Sequence, residues 1–375
     1  MNRLYLYEFK QKRLQDKKIK IGLLGTSLAH GGAGKILALY SIGFEKAGFE
    51  VHTILVNSTI DFEYKGNLVD LSKHKKGFFN RLNRFLILKK YIQKNQLDYL
   101  IDFRVRNKPL MEWLLNQFVF NCRYIPTVHS FELDFYFPKN DFLAKLIYRK
   151  AFKIVTVSKA IQHKIEQKYS LKNVVTISNP LDFDEIETKS EQPILMTEKF
   201  ILAVGRMEED NIKQFDKLLE SYADSQLPAQ NIHLVFLGEG MFKSKLESIV
   251  TKTNLTSFVH FKGFQKNPYA FMKQAQFLVL SSRNEGYPTV LIEALACGTP
   301  VISFDCESGP NEIIQQEQNG LLVENQNIEK LTIAMNRFVL EPELLKFCKS
   351  NTLRSLEKHR FEQVISQWKE TIFKK

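Results

Sequence analysis

Glu285 and Glu293 stand with seven residues between them, around Gly286-Tyr287-Pro288, in a stretch that runs from Ser281 to Ile302. Pro288 suits the first position of a helix and Gly298 suits its stop. Apolar runs at Phe277 to Leu280 and from Val301 onward read as the strands on either side. A strand that passes through a Gly-containing turn into a helix N-terminus leaves backbone N–H groups unpaired and pointing outward, which makes an anion site. Carboxylates beside such a site suit hydroxyl groups on the same ligand, because they accept hydrogen bonds from them. A phosphate carrying sugars at both ends would fit. An ordinary strand–helix turn with solvated glutamates has the same pattern, so spacing alone leaves both readings open.

Other candidates fall at comparable places. Arg206 follows the strand pattern Phe200 to Val204, and Lys213 opens the helix beyond it. Two cations at a strand end, facing the helix at Pro288, could hold a diphosphate without a metal; they could also be two surface cations. Gly31 and Gly32 close the loop after the first strand, Ile19 to Leu24. That loop is neither the dinucleotide fingerprint nor a P-loop, since Ala29 replaces the leading Gly and Ile36 follows Gly34-Lys35. What it offers is close backbone approach to a ligand, or plain turn geometry. His129 ends the strand Tyr124 to Val128, where a side chain faces the ligand crevice of a parallel sheet or simply packs.

The elements that must position these residues alternate as strand and helix throughout, which predicts an α/β fold with parallel sheets. At 375 residues the chain exceeds one ordinary core, so two domains are expected. Strand patterns at Val51 to Val56, Tyr99 to Phe103, Ile154 to Val157 and Val174 to Ile177 complete the first set. Those at Ile232 to Leu237, Phe258 to Phe261, Val301 to Phe304 and Leu321 to Val323 complete the second. The polar stretch 182–199 reads as the linker, and Leu353 to Lys375 as a final helix with Phe361, Val364, Trp368 and Ile372 on one face. No apolar run is long enough to cross a membrane. Four scattered cysteines suit a reducing compartment rather than a disulfide framework.

Charge is lopsided. Residues 1–190 hold 32 Lys and Arg against 18 Asp and Glu, and the remainder 21 against 23. An anionic partner for the first half is implied. Residues 71–97 contain no acid but eight bases, Lys73, Lys75, Lys76, Arg81, Arg84, Lys89, Lys90 and Lys94, interleaved with Phe and Leu. That is either a basic helix lying on anionic lipid or a normal crossover helix. A nucleic-acid partner has no support beyond the net charge, since no recognised module is present.

Taken in order, Gly205-Arg206 with Lys213, Gly238-Glu239-Gly240, Gly263-Phe264, and Glu285-x7-Glu293 with Gly286-x-Pro288 resemble the donor-binding half of a retaining glycosyltransferase of family 4. Gly31-Gly32-Ala33-x-Lys35 is similar to the Gly-Gly-Ala-Glu-Lys loop of that family, with Gly34 where the family often has Glu. Asp305 to Ile313 resembles its bacterial branch that builds envelope glycans. The resemblance implies a GT-B fold, two facing Rossmann-like doubly wound domains at 1–185 and 195–355, with 356–375 crossing back to the first. It implies that Glu293 accepts from the ribose hydroxyls of a UDP-sugar and that Glu285 meets the donor sugar, helped by the N–H groups of Gly286 and Tyr287. Thr289 and Val290 would offer N–H groups to the phosphates, and Arg206 and Lys213 would balance the leaving diphosphate. Gly238 and Phe264 would border the base. His129 would contact the sugar, with Gly32 closing from the other domain. The UDP-sugar would be a co-substrate, with no further cofactor and no metal, and the acceptor a glycan or lipid-linked saccharide. A cytoplasmic enzyme, peripheral on the inner face of the membrane, is the expected setting. A nucleotide-sugar epimerase of the same fold and a non-catalytic sugar-nucleotide-binding protein are the alternatives.

Overall fold

A computed structural model describes residues 18–29, 32–74 and 80–373. The first sheet is built from β1 (Lys20–Gly25), β2 (Glu50–Leu55), β3 (Asn67–Asp70), β4 (Tyr99–Asp102), β5 (Arg123–Val128), β6 (Ile154–Thr156) and β7 (Val174–Thr176). The second comprises β8 (Phe200–Val204), β9 (His233–Leu237), β10 (Val259–Phe261), β11 (Leu278–Leu280), β12 (Val301–Phe304) and β13 (Gly320–Val323). Their spatial orders are β3-β2-β1-β4-β5-β6-β7 and β10-β9-β8-β11-β12-β13, and every strand pairing is parallel. These are two Rossmann-like, doubly wound α/β domains. Helices on both faces of a parallel sheet bury the strands from two sides, which explains their near-continuous apolar runs; β1 is buried at every position but its first.

Strand order reverses between β1 and β4, and again between β8 and β11. At such a reversal the two flanking helices lie on opposite faces, so a crevice opens beyond the carboxyl ends of the strands. The loops of interest leave these strands or their neighbour β5.

Three elements differ from expectation. β3 is a short, largely exposed edge strand with no apolar run to announce it. The polar stretch after residue 182 is not all linker: Phe183–Ser190 is a helix, its N-terminus capped by Asp182, whose side chain accepts from the Glu185 N–H at 3.0 Å. Ile186 is the buried anchor of that helix. The last segment is not one helix. A 3-10 turn, Leu353–His359, ends at Arg360 in extended geometry (ψ 143°), followed by the α-helix Phe361–Trp368 and a π-turn, Lys369–Phe373. The helical spacing nonetheless buries Val364, Trp368 and Ile372.

That segment packs on the first domain. Trp368 meets Tyr40 and Phe44 edge-on, at 5.6 and 5.5 Å between ring centroids, from the helix Gly32–Lys46. Of the basic stretch, Lys75 and Lys76 lie outside the described residues, as does the side chain of Arg81. The helix Asn80–Asn95 is a crossover helix anchored in the core by Leu88 and Ile92. Among the described residues no helix is long and apolar enough to cross a membrane. Trp368→Ala should cost about 3–5 kcal/mol of stability, as truncation of a fully buried Trp does, read as a lower urea midpoint for unfolding.

Candidate active site

The two reversal points open toward each other. Gly286, in the loop after β11, lies against the loop after β5 so closely that a Cβ there would stand 2.0 Å from the His129 carbonyl oxygen. Only a glycine permits that approach. The contact is held from behind by a chain of buried hydroxyls. Ser308 Oγ donates to the Gly286 carbonyl at 2.7 Å and lies 2.8 Å from Ser158 Oγ, which itself accepts the Ile161 N–H of the first domain. Glu312 caps the same first-domain helix, accepting from the N–H groups of Lys159 and Ala160 at 3.0 and 3.2 Å.

The helix after Gly286 starts one residue later than expected. Pro288 is its cap, with a non-helical ψ of 99°, and the helical turns run Thr289–Ala296. Gly298 takes the left-handed conformation (φ +79°) that stops it. The first-turn N–H groups of Thr289 and Val290 therefore project toward the cleft end, the disposition an anion needs. Gly32 sits across from them, with the Thr289 hydroxyl 4.0 Å from where its Cβ would be. Gly31 lies outside the described residues.

Glu285 accepts from Lys213 Nζ at 2.6 Å, and both are largely buried. Glu293 is paired too, but across the cleft: Lys35 Nζ of the first domain donates to it at 2.5 Å and also to the Tyr269 hydroxyl. Burial works to lower the Lys35 pKa, but Glu293 and Tyr269 outweigh it and raise it, so the ammonium is fixed. Arg206 joins none of these pairs. Its side chain is 79% exposed, with Glu208 at 3.4 Å. Phe264 is 63% exposed at the rim. Its N–H donates to Glu239 Oε1 at 3.4 Å, and Gly238 (φ +137°) lets its strand end touch the Gly205 carbonyl. The Tyr287 side chain turns away from the cleft, its hydroxyl donating to His359 Nε2 at 2.9 Å while His359 Nδ1–H donates to the Asn179 carbonyl. In the one Asp-x-Asp pattern, Asp182-Phe183-Asp184, Asp182 is the helix cap already described.

His129 rests against Phe103, with ring centroids 5.5 Å apart. Its Nε2 lies 2.9 Å from Thr127 Oγ1, whose hydroxyl hydrogen is given to the Asp102 carbonyl at 3.0 Å. Thr127 can then only accept, so Nε2 carries the proton and Nδ1 is left as an acceptor. Beneath them Arg106 is buried, and among the described residues no carboxylate meets its guanidinium. It donates to the carbonyls of Asp102, Arg104 and Thr127 at 3.1, 2.9 and 2.7 Å. Burial, helped by Arg106, pushes the His129 pKa down to about 3. Lys35, Tyr269 and Arg106 were not singled out as site residues from sequence. Lys35 stood inside a noted motif, but its partners are 234 and 258 residues away.

Two facing Rossmann-like domains with a cleft between them make up the GT-B fold. The family profile "Glycosyl transferases group 1" matches residues 184–354. The chain is 31% identical over 347 residues, covering 88% of this chain and 93% of the other, to a Campylobacter jejuni protein. That protein is the N-acetylgalactosamine-N,N'-diacetylbacillosaminyl-diphospho-undecaprenol 4-alpha-N-acetylgalactosaminyltransferase. The chain belongs to this glycosyltransferase family. Among solved structures, an S. aureus TarM mutant with Fondaparinux, alpha-GlcNAc-glycerol and UDP superposes with a TM-score of 0.75 at 15% identity, covering 94% of this chain and 99% of that one. Anabaena HepE with UDP-glucose gives 0.75 at 17% identity, covering 95% and 99%. At such identities these two establish the fold.

The His129 environment gives a pH prediction. Between pH 6.5 and 3 the unfolded chain binds a proton at His129 that the folded chain refuses, so the unfolded state holds more protons and stability rises with pH. The contribution is complete above pH 6.5 and is lost on acidification toward 3. Comparing melting temperatures at pH 7.5 and 5, His129→Asn should show a smaller drop than the native chain. A residual slope should remain from His359, which burial pushes down to about 4.

Proposed function

We propose that this glycosyltransferase moves a hexose or N-acetylhexosamine from a UDP-sugar to a lipid-linked glycan acceptor in bacterial envelope polysaccharide synthesis. The anomeric configuration is retained. The observation that carries the reading is the meeting of Glu285, Lys213 and the Thr289 helix N-terminus with His129 across a gap one glycine wide. That set suits one hydroxyl-rich anion. The Campylobacter relative, whose acceptor is a diphospho-undecaprenol saccharide, supports the acceptor class. The UDP-glucose complex of HepE supports the donor class.

In this reading the acceptor hydroxyl attacks the anomeric carbon on the face from which the diphosphate departs. The carbon–oxygen bond to the diphosphate breaks and the acceptor's proton passes to a leaving-group oxygen. Lys213 and the helix N-terminus hold that developing charge without a metal, and Arg206 swings in from solvent to complete the shell. Neutral His129 offers Nδ1 as an acceptor to a sugar hydroxyl. Ribose hydroxyls compete with Lys35 for Glu293, so donor entry loosens one tie between the domains. The basic first half favours an anionic membrane surface on the cytoplasmic side.

The direct test is product analysis with UDP-N-acetylhexosamines, UDP-hexoses and an undecaprenyl-diphosphate saccharide, the new linkage being assigned by NMR. An inverted anomer, or no transfer with any donor, overturns the proposal. Arg206→Ala and Lys213→Ala should each lower kcat by roughly 10²-fold, the scale of one lost charge-stabilising group, with donor KM nearly unchanged. Glu293→Ala should weaken UDP binding by calorimetry about tenfold, the scale of lost charge-assisted hydrogen bonds.

A further inference from the structure

The chain crosses from the first domain to the second at Asn179-Pro180-Leu181 and returns at His359-Arg360. Just before the first crossing the Ser178 carbonyl accepts from Tyr40 of the first domain at 3.2 Å; beyond it the Lys189 carbonyl accepts from Asn267 of the second at 2.8 Å. After the return, the Phe361 ring lies 2.9 Å from where a Cβ on Gly43 of the first domain would stand. The two crossings run side by side. The Leu181 N–H donates to the His359 carbonyl at 2.9 Å, and Leu181 pairs with Arg360 in an isolated parallel bridge.

His359 is fully buried at this point. Its Nδ1 lies 2.9 Å from the Asn179 carbonyl, and a carbonyl only accepts, so Nδ1 carries the proton. Nε2 is then a bare acceptor, and the Tyr287 hydroxyl at 2.9 Å is its donor. Burial lowers the His359 pKa to about 4, against the hydrogen bond to Asn179, so the ring is neutral near pH 7. Burial raises the pKa of Tyr287, which keeps its hydroxyl proton.

Tyr287 belongs to the turn that fits the two domains together. Gly286 meets the His129 carbonyl on one side, and Ser308 Oγ holds the Gly286 carbonyl at 2.7 Å. On another side a Cβ on Gly309 would stand 2.5 Å from Pro288 Cδ and 3.1 Å from Tyr287 Cα. The Tyr287 side chain leaves this turn and reaches His359, at the crossings. A ring pinned at its hydroxyl leaves its own Cα little freedom, because only two side-chain torsions join them. The N–H groups of Gly286 and Tyr287 are those expected to meet the donor sugar beside Glu285. Orientation here therefore bears on the transferred group rather than on the nucleotide.

We infer that His359 is a positioning residue of the transfer: through the Tyr287 hydroxyl it holds the Gly286-Tyr287 backbone in register with both interdomain crossings. It touches neither substrate. The inference rests on the donor reading proposed above, and one of its readouts needs no turnover.

Tyr287→Phe and His359→Leu each remove the bond, whereas the amide of His359→Gln offers an oxygen to Tyr287 and an N–H to Asn179. Kinetics are read well below each melting temperature, since a buried histidine left without its donor lowers stability. In the first two variants kcat/KM for the UDP-sugar that the native chain uses best should fall at least about tenfold, the scale on which a small misplacement acts. UDP affinity by calorimetry should not move, because Glu293 and the Thr289 N–H lie beyond the turn. His359→Gln should restore most of the turnover. Without any donor, hydrogen exchange of the segment 281–290 should quicken in the first two variants and stay native in the third. Four results each overturn the inference: native exchange in Tyr287→Phe, quickened exchange with native kcat/KM, UDP affinity lost in step with turnover, or Gln behaving like Leu. A native chain that transfers from no donor sinks the transferase reading instead. Exchange then decides alone whether His359 holds the turn: quickening in Tyr287→Phe keeps it in that place, and native exchange removes it.

Discussion

The contact between Gly286 and the carbonyl of His129 is the constraint on which the rest of the cleft depends. With no room for a methyl group there, the loops after β5 and β11 are held at van der Waals distance. Ser158, Ser308 and Glu312 fix the same junction through backbone groups. Such bonds have sharp geometric demands. Lys35 and Glu293 differ in kind. Theirs is an ion pair between charged side chains, so the junction combines a close backbone contact with an electrostatic tie.

Beneath His129 the first domain keeps an unusually charged interior. Asp102 is fully buried, accepts a two-point contact from Arg104 at 2.8 and 2.9 Å, and receives the Tyr124 hydroxyl. Arg104 and Arg106 hold its carboxyl below the usual range despite burial, which acts to raise it. Buried ion pairs bring little net stability, because desolvation offsets the attraction. What this one does is orient. Arg106 spends its donors on three carbonyls around the end of β4 and β5, and Thr127 passes that order to the imidazole. A neutral, single-tautomer histidine suits recognition of hydroxyl groups rather than proton shuttling near neutral pH.

Much of the fold was legible because parallel strands buried on both faces announce themselves as apolar runs, and glycines such as Gly48 and Gly298 mark helix ends. Errors fell where that signal is weak. The edge strand Asn67–Asp70 is largely exposed, and the helix Phe183–Ser190 has Ile186 as its one buried apolar residue. Arg360 breaks the last helix without a proline or glycine to warn of it. Among the candidate residues, His129 and Glu285 were legible beyond strand ends, Lys213 at a helix start and Glu293 inside a helix. Their pairings were not: nothing in spacing says that Lys213 meets Glu285, or that Lys35 meets Glu293.

The sequence by itself determined two parallel α/β domains, the loops in which the candidate residues lie and the imbalance of charge between the halves, since these follow from local periodicity and composition. Only the tertiary structure decided which loops face one another, which cation each carboxylate holds, and that Arg106 lies under His129. It also decided that Leu110, Leu114 and Phe118 look outward instead of into a core. A helix with that sequence reads as buried until its neighbours are placed, because amphipathicity defines two faces and leaves to packing which of them meets water.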